Sequence, residues 1–232
     1  MNISFSPLGD QAIVIELGNE INEQTEQQIR KVAALLESRQ PEWMTEFVPA
    51  FVTVSVFYDP CLALYDKVKI ELERLLAHLG EDIPAESRTV EIPVCYGGKF
   101  GPDLEFVAQH NKLTPREVID IHTAGNYSVH MIGFAPGFPF IGGMSEKIAA
   151  PRRDSPRIRI PERTVGIAGM QTGVYPIETP GGWQLIGKTP LRLFRPENDP
   201  PTLLQAGDKV IFKEISEDDY HAWEEDPDAE NP

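Results

Sequence analysis

The stretch from His130 to Leu193 decides the fold. It begins with HMIGFAPGFPFIGGM (residues 130–144), continues with PRRDSPRIRIPERTVGIAGMQTGVYP (residues 151–176) and ends with TPGGWQLIGKTPLRL (residues 179–193). Glycine and proline recur every few residues, with short apolar pieces between them. Because Gly permits positive φ and Pro fixes φ at about −65°, this rhythm interrupts helices and favours short strands joined by tight turns. The stretch therefore predicts a β-barrel or sandwich whose loops hold aromatic and basic side chains at one mouth.

The rest of the chain alternates between strand and helix patterns. Apolar runs bounded by turn residues predict strands, and apolar residues that share one helical face predict helices. In chain order these are a strand at Gln11–Leu17, a helix at Ile21–Leu36, strands at Trp43–Val48 and Phe51–Phe57, a helix at Leu62–Leu79 and a strand at Arg88–Cys95. The order βαββαβ is that of a ferredoxin-like sandwich. Two short helices, at Pro102–Asn111 and from Thr114 onward, precede the organising stretch, and a strand at Lys209–Ile215 follows it.

Several long motifs occur in one order: GFAPGFPFIGG, the spaced PRR and PR, VGIAGMQTGVYP and PGGWQLIGKTP. Together they resemble the allophanate hydrolase subunit 1-like family, strongly over residues 92–212 and more weakly in the N-terminal half. The resemblance implies an α+β protein of two domains. Residues 1–86 would form a small ferredoxin-like sandwich, and residues 87–216 a cyclophilin-like β-barrel.

Charge and composition exclude several classes of protein. The net charge of −15 disfavours nucleic-acid binding, which depends on neutralising phosphates. Residues 217–232 contain many acids and neither Lys nor Arg, and we expect a disordered tail there. No apolar run reaches the roughly 18 residues of a membrane span, and the N-terminus lacks a secretion signal. With only Cys61 and Cys95, far apart in sequence, we expect reduced thiols in a cytoplasmic protein.

The candidate ligand contacts are aromatic, basic and amide side chains of the organising stretch: Phe134, Phe138, Arg152, Arg157, Gln171, Tyr175, Trp183 and Gln184. The aromatic residues are suited to line a concave apolar pocket, with the glutamines as polar anchors. The arginines belong to a basic cluster, and a guanidinium matches the geometry of a carboxylate or phosphate. Core packing explains the aromatic residues about equally well, and surface ion pairs explain the arginines. Both interpretations stay open from the sequence.

Residues 182–189, GWQLIGKT, match the phosphate-loop pattern GxxxxGK[ST] but lack its context. A phosphate loop needs small residues that wrap phosphates, a strand before it and a long helix after it. Here the interior is bulky, and Pro190 and Pro196 leave no room for the helix. The sequence therefore predicts that this segment binds no nucleotide.

The titratable residues give no catalytic or metal signature. The five histidines lack the spacing of metal ligands, and His122 and His130 are predicted to be structural. Asp103 and Glu117 lie at the starts of two predicted helices, where capping accounts for both. No catalytic residue is predicted.

The family resemblance implies a function as one subunit of an ATP-dependent 5-oxoprolinase complex, the B subunit, beside the A and C subunits. Such a complex opens 5-oxo-L-proline to L-glutamate, and ATP would activate the poorly electrophilic lactam. Because the chain has no recognisable nucleotide site or nucleophile, we expect it to be inactive alone. The resemblance equally implies an alternative, a protein inhibitor of a sensor histidine kinase that acts through the barrel domain. A subunit associated with urea carboxylase and allophanate hydrolase ranks third, and prolyl isomerase activity, suggested by fold alone, ranks last.

Overall fold

The computed structural model describes residues 3–77, 79 and 87–225. The chain divides into two compact units, Met1–Ser87 and Arg88–Pro232. The first contains a four-stranded sheet, and the second contains a closed barrel of seven strands, as far as the described residues extend. The α+β class predicted from the sequence is therefore confirmed. No helix within the described ranges is long and apolar enough to cross a membrane.

The first unit packs two helices on an antiparallel sheet. Its described elements are β1 Ser4–Pro7, β2 Ala12–Glu16, α1 Glu23–Arg39, β3 Met44–Ala50, β4 Thr53–Tyr58 and α2 Tyr65–Ala77. The strand order is β1-β2-β4-β3. Val54 and Val56 alternate along β4 and are fully buried, as are Leu36 of α1 and Leu72 of α2. The period of two along the strand and of 3.6 along the helices thus produces one shared core.

The predicted ferredoxin-like order of this unit is corrected at its fourth strand. The strand expected at Arg88–Cys95 is β5, Thr89–Tyr96, and it belongs to the barrel. The edge place beside β2 is taken by β1, where Phe5 lies opposite Ile15. The sequence of β1, SFSP, is too short and polar to stand out as a strand, and its proline is tolerated because edge strands need fewer hydrogen bonds.

The second unit is built around the barrel. Besides β5, its described elements are α3 Leu104–His110, α4 Pro115–Thr123, β6 Tyr127–Ile132, β7 Pro139–Gly142, a 3-10 turn at Glu146–Ile148, β8 Arg157–Ile160, β9 Thr164–Ala168, β10 Gln171–Val174, β11 Thr179–Gly181, β12 Gln184–Lys188, β13 Lys209–Glu214 and α5 Glu217–Glu225. The barrel order is β10-β7-β6-β13-β5-β12-β9, and β11 and β8 form a separate two-stranded sheet. Only the β13–β5 pair among these is parallel. The short strands and turns predicted for the organising stretch are confirmed.

A buried histidine completes the packing of α4 against the barrel. His122 is fully buried, with Nδ1 2.7 Å from the Tyr96 hydroxyl and Nε2 3.0 Å from the Thr172 hydroxyl. Because the Thr172 hydroxyl donates to the carbonyl of Gly166, it accepts from Nε2–H, and Tyr96 donates to Nδ1. Burial lowers the pKa of His122 to about 3, so the ring is neutral. The prediction of a structural histidine is confirmed.

The expected disordered tail is corrected over its first nine residues. Residues Glu217–Glu225 form α5, and the acids of its first turn interact favourably with the positive end of the helix dipole. At its start the Ser216 hydroxyl accepts from the backbone N–H of Asp219, 3.1 Å away. Tyr220 is only 2% exposed, so apolar burial offsets the cost of gathering like charges. The remainder of the expected tail, residues 226–232, lies outside the described residues.

The burial of His122 predicts a loss of stability in acid. The unfolded chain binds a proton at this ring below pH 6.5, its ordinary pKa, whereas the folded chain does not until about pH 3. His122 should therefore lower the free energy of unfolding by up to about 1.4 kcal/mol for each pH unit between these values. His122→Gln, which cannot titrate, should lack this contribution. Urea unfolding of both proteins at pH 7.5 and pH 5 measures how far the free energy of unfolding falls between the two pH values. An equal fall in the wild-type protein and in His122→Gln contradicts the prediction.

Candidate functional site

An aromatic cavity of about 260 Å³ lies in the barrel unit. Its walls come from the β6–β7 loop, the segment before β8, the end of β10, and the turn between β11 and β12. The lining residues are Phe134, Phe138, Phe140, Arg152, Pro156, Tyr175, Pro180, Gly181, Gly182 and Trp183. Five of the eight side chains predicted from sequence are among them, namely Phe134, Phe138, Arg152, Tyr175 and Trp183. The remaining three, Arg157, Gln171 and Gln184, are not.

Edge-to-face contacts fix the floor of the cavity. The ring of Phe138 is 1% exposed, and its centroid lies 5.3 Å from that of Tyr175 and 5.5 Å from that of Trp183. Both pairs are T-shaped, the arrangement that the ring quadrupoles favour. Gly181 permits the approach of β11, since a Cβ there would lie 2.5 Å from the hydroxyl oxygen of Tyr175. The floor is therefore closely packed and mostly apolar.

One polar atom in the floor belongs to Tyr175. Burial raises the pKa of Tyr175 to about 12, although a hydrogen bond from the Trp183 backbone and the nearby charges of Arg152 and Arg157 act in the opposite direction. The hydroxyl consequently keeps its proton at neutral pH. It can donate a hydrogen bond to a ligand, but it is not a general base.

The arginines of the basic cluster have different partners. Arg157 contacts the carboxylate of Asp103 at 2.8 Å, and Arg153 contacts the same oxygen at 3.3 Å. Arg159 pairs with an exposed glutamate. Arg152, at the rim of the cavity, forms no salt bridge with any acid in the part of the chain that the structure describes. Surface pairing thus accounts for Arg159, whereas Arg152 lies at the cavity without an acidic partner among the described residues.

Asp103 has a role that the sequence did not reveal. It is 6% exposed, and it was expected to cap α3, but its side chain makes no capping hydrogen bond. One carboxylate oxygen instead accepts from Arg157, and the other accepts from the backbone N–H of Leu185 at 2.7 Å. The partners are 54 and 82 residues away along the chain. No local pattern signals such contacts. The cap predicted for Glu117, in contrast, is confirmed by a capping box with Thr114.

The two predicted glutamine anchors lie outside the cavity lining. Gln184 is 3% exposed, and its amide nitrogen donates to the carbonyl of Pro151 at 2.9 Å. It thereby holds the segment that carries Arg152. Gln171 begins β10 and pairs with Ala168 across the hairpin.

The GWQLIGKT segment is not a phosphate loop. Its residues 184–188 are β12, with Lys188 paired to Thr164 on one side and to Cys95 on the other. Thr189 is fully buried. A backbone committed to two strand ladders cannot wrap phosphates. Within residues 3–77, 79 and 87–225, no group of three or more metal-ligating side chains is found either.

Comparison with known proteins covers both compact units. The family model described as "carboxyltransferase domain, subdomain C and D" matches residues 3–204. A curated protein from Bacillus subtilis (strain 168), named as the B subunit of 5-oxoprolinase, is 57% identical over 94% of this chain and 95% of its own length. A protein of the same name from Escherichia coli O157:H7 is 41% identical over 88% and 93%, respectively. The crystal structure of a conserved uncharacterized protein from Pyrococcus horikoshii shares 46% identity over 94% of this chain and 100% of that one, with a TM-score of 0.57.

The contacts of Asp103 predict that Asp103→Asn destabilises the barrel unit. Removing the charge leaves the partly buried Arg157 without its ion pair, and we expect a loss of about 2 kcal/mol in the free energy of unfolding. Asp154→Asn, which removes an exposed acid from the same basic segment, is the matched control and should cost less than about 0.5 kcal/mol. Guanidinium unfolding of both variants tests the difference. Equal stability of the two would show that the Asp103 contacts contribute nothing.

Proposed function

The chain belongs to the family of the carboxyltransferase domain, subdomain C and D, and on this premise we propose that it is the B subunit of an ATP-dependent 5-oxoprolinase. The complex would open 5-oxo-L-proline to L-glutamate together with the A and C subunits. The observation that carries the assignment to this cavity is the placement of Arg152 at the rim of an aromatic pocket. 5-Oxo-L-proline consists of a compact ring and one carboxylate, which match these two features.

The cavity is suited to bind this ligand. The aromatic walls of Phe138 and Trp183 would hold the ring, and burial of its apolar face there is favourable. The guanidinium of Arg152 would bind the carboxylate through charge-assisted hydrogen bonds. The hydroxyl of Tyr175, which keeps its proton, would donate to the lactam oxygen. Arg157 and Gln184 would act indirectly, since they hold the basic segment in place.

The chemical step is assigned to the other two proteins of the complex. The described lining residues include no carboxylate, imidazole, thiol or amine, and so no nucleophile or general base faces the cavity. ATP does not fit the one phosphate-loop pattern of this chain, because that segment is strand β12. The A and C subunits would therefore supply the nucleotide site and the reacting groups. This chain would supply the walls that bind and orient the lactam.

The alternatives from the sequence remain predictions. Inhibition of a sensor histidine kinase through the barrel domain would use the same exposed mouth of the cavity. A place beside urea carboxylase or allophanate hydrolase would require a different partner set. Neither is favoured by a contact, distance or charge in the described residues, whereas the Arg152 rim favours a small carboxylate.

Reconstitution tests the proposal. Glutamate should form from 5-oxo-L-proline and ATP only when this chain is mixed with its A and C subunits. Arg152→Ala should raise KM by about tenfold or more, because a charge-assisted hydrogen bond contributes roughly 1.5–3 kcal/mol. Arg159→Ala is the matched control, since Arg159 is 75% exposed and pairs with Glu178 away from the cavity lining. A well-formed complex of the three proteins without turnover would overturn the assignment, and kinase inhibition would then be measured.

A further inference from the structure

The loop between β6 and β7 contains a strained residue at the mouth of the cavity. Phe134 has φ of +70°, and the backbone N–H of Ala135 donates to the carbonyl of Gly133 at 2.8 Å. A hydrogen bond from residue i+2 to residue i, with positive φ at the residue between them, defines the rare and strained form of the γ-turn. Residues with a side chain adopt it at a cost in free energy, and a phenylalanine is an unusual occupant.

The surrounding contacts hold this turn in place. The N–H of Gly133 donates to the carbonyl of Phe138 at 3.0 Å, and the N–H of Phe138 donates to the carbonyl of Ala135, also at 3.0 Å. Phe138 itself is buried among aromatic rings. At the far end of the loop Gly137 has φ of +77°, and its neighbour Phe194 leaves little room for a side chain there. The strain at Phe134 is thus imposed by a rigid loop.

The ring that this turn presents is exposed. Phe134 is 66% exposed, yet it lines the cavity and meets Phe138 edge to face, with ring centroids 5.4 Å apart. An exposed aromatic ring on a relaxed backbone needs no explanation. Here the backbone strain costs free energy, and the contact with Phe138 leaves most of the Phe134 side chain exposed. Strain of this kind is characteristic of ligand sites, where binding recovers the cost.

We propose that Phe134 is a specificity-determining residue of the substrate site: its ring covers the apolar face of a compact cyclic carboxylate whose charge is bound by Arg152. The inference rests on the proposed function. It also gives a reason for the release of product. Opening of the lactam creates a second carboxylate, which loses hydration and gains no attraction against the negative face of an aromatic ring. The ring should therefore favour the closed lactam over L-glutamate.

Three substitutions separate the ring from the strain. Phe134→Ala removes the ring and keeps a side chain in the strained turn, Phe134→Gly removes both, and Phe134→Tyr keeps both. In the complex with the A and C subunits, Phe134→Ala and Phe134→Gly should each raise KM for 5-oxo-L-proline about tenfold and leave kcat within about twofold of the wild-type value. Inhibition by L-glutamate should change less than about twofold. Phe134→Tyr should keep KM within about threefold of the wild-type value.

Unfolding of the full chain alone measures the strain. The unfolding equilibrium constant of Phe134→Gly should be about fivefold smaller than that of Phe134→Ala, because glycine adopts positive φ without steric cost.

In the kinetic experiment, Met170→Ala is the control for loss of an exposed apolar side chain, since Met170 is 46% exposed and does not line the cavity. It should leave KM unchanged.

The outcomes distinguish the two proposals. Absence of turnover by the wild-type complex overturns the proposed function and, with it, the role of Phe134. Normal wild-type turnover with an unchanged KM in Phe134→Ala overturns the specificity role alone, as does a fall in kcat without a rise in KM. A KM of Phe134→Tyr as high as that of Phe134→Ala would also overturn the specificity role. Equal stability of the Ala and Gly variants would overturn the strain argument.

Discussion

The carboxylate of Asp103 is the constraint on which the cavity depends. A buried carboxylate must be paired and hydrogen-bonded to offset its lost hydration, and this one is satisfied by Arg157 and by the backbone of Leu185. The backbone N–H of Asp103 also donates to the carbonyl of Leu185, so α3 and β12 are joined twice. Through Arg157 the same carboxylate fixes the start of β8. The walls of the cavity directly flank these contacts, at Pro156 before β8 and at Trp183 before β12. Apolar packing forms the floor of the cavity, whereas the polar contacts of Asp103 position its walls.

The parts of the fold that follow from local sequence were predictable, and the parts that depend on tertiary context were not. The amphipathic periods of α1 and α2 and the alternation in β4 predict two helices and a strand without any knowledge of the neighbouring elements. Strand β5 was predicted correctly as a strand, yet its assignment to the first sheet was wrong. A strand pattern does not state which edge it will join, and the place was taken by the short, polar β1. Helix α5 was missed for another reason: its acidic composition is that of a disordered tail, and tertiary contacts such as the burial of Tyr220 distinguish it.

The candidate site divides in the same way. Residue type predicted its aromatic walls, because rings clustered between glycine turns have few other uses than packing or binding. Type alone did not separate Arg152 from Arg157. The two differ because Arg157 meets Asp103 across the fold, whereas Arg152 pairs with no acid among the described residues. The strain at Phe134 gave no sequence signal at all. In the loop sequence GFAPG, positive φ is expected at the glycines, and Gly137 does adopt it. That Phe134 shares it is decided by hydrogen bonds that close the loop.

The electrostatics of the cavity support a binding role better than a reactive one. The chain has a net charge of −15, yet Arg152 at the rim of the apolar pocket pairs with no acid among the described residues, and this supports the proposed binding of an anion there. Burial in the same cavity raises the pKa of Tyr175, so the hydroxyl keeps its proton and cannot act as a base. Lactam opening needs a nucleophile and an activated carbonyl, and neither can arise from aromatic, proline and glycine walls. Under the proposed function, a cavity that binds the ligand without reacting suits one subunit of a composite enzyme, because it would become productive only when a partner surface brings the reacting groups to the bound ligand.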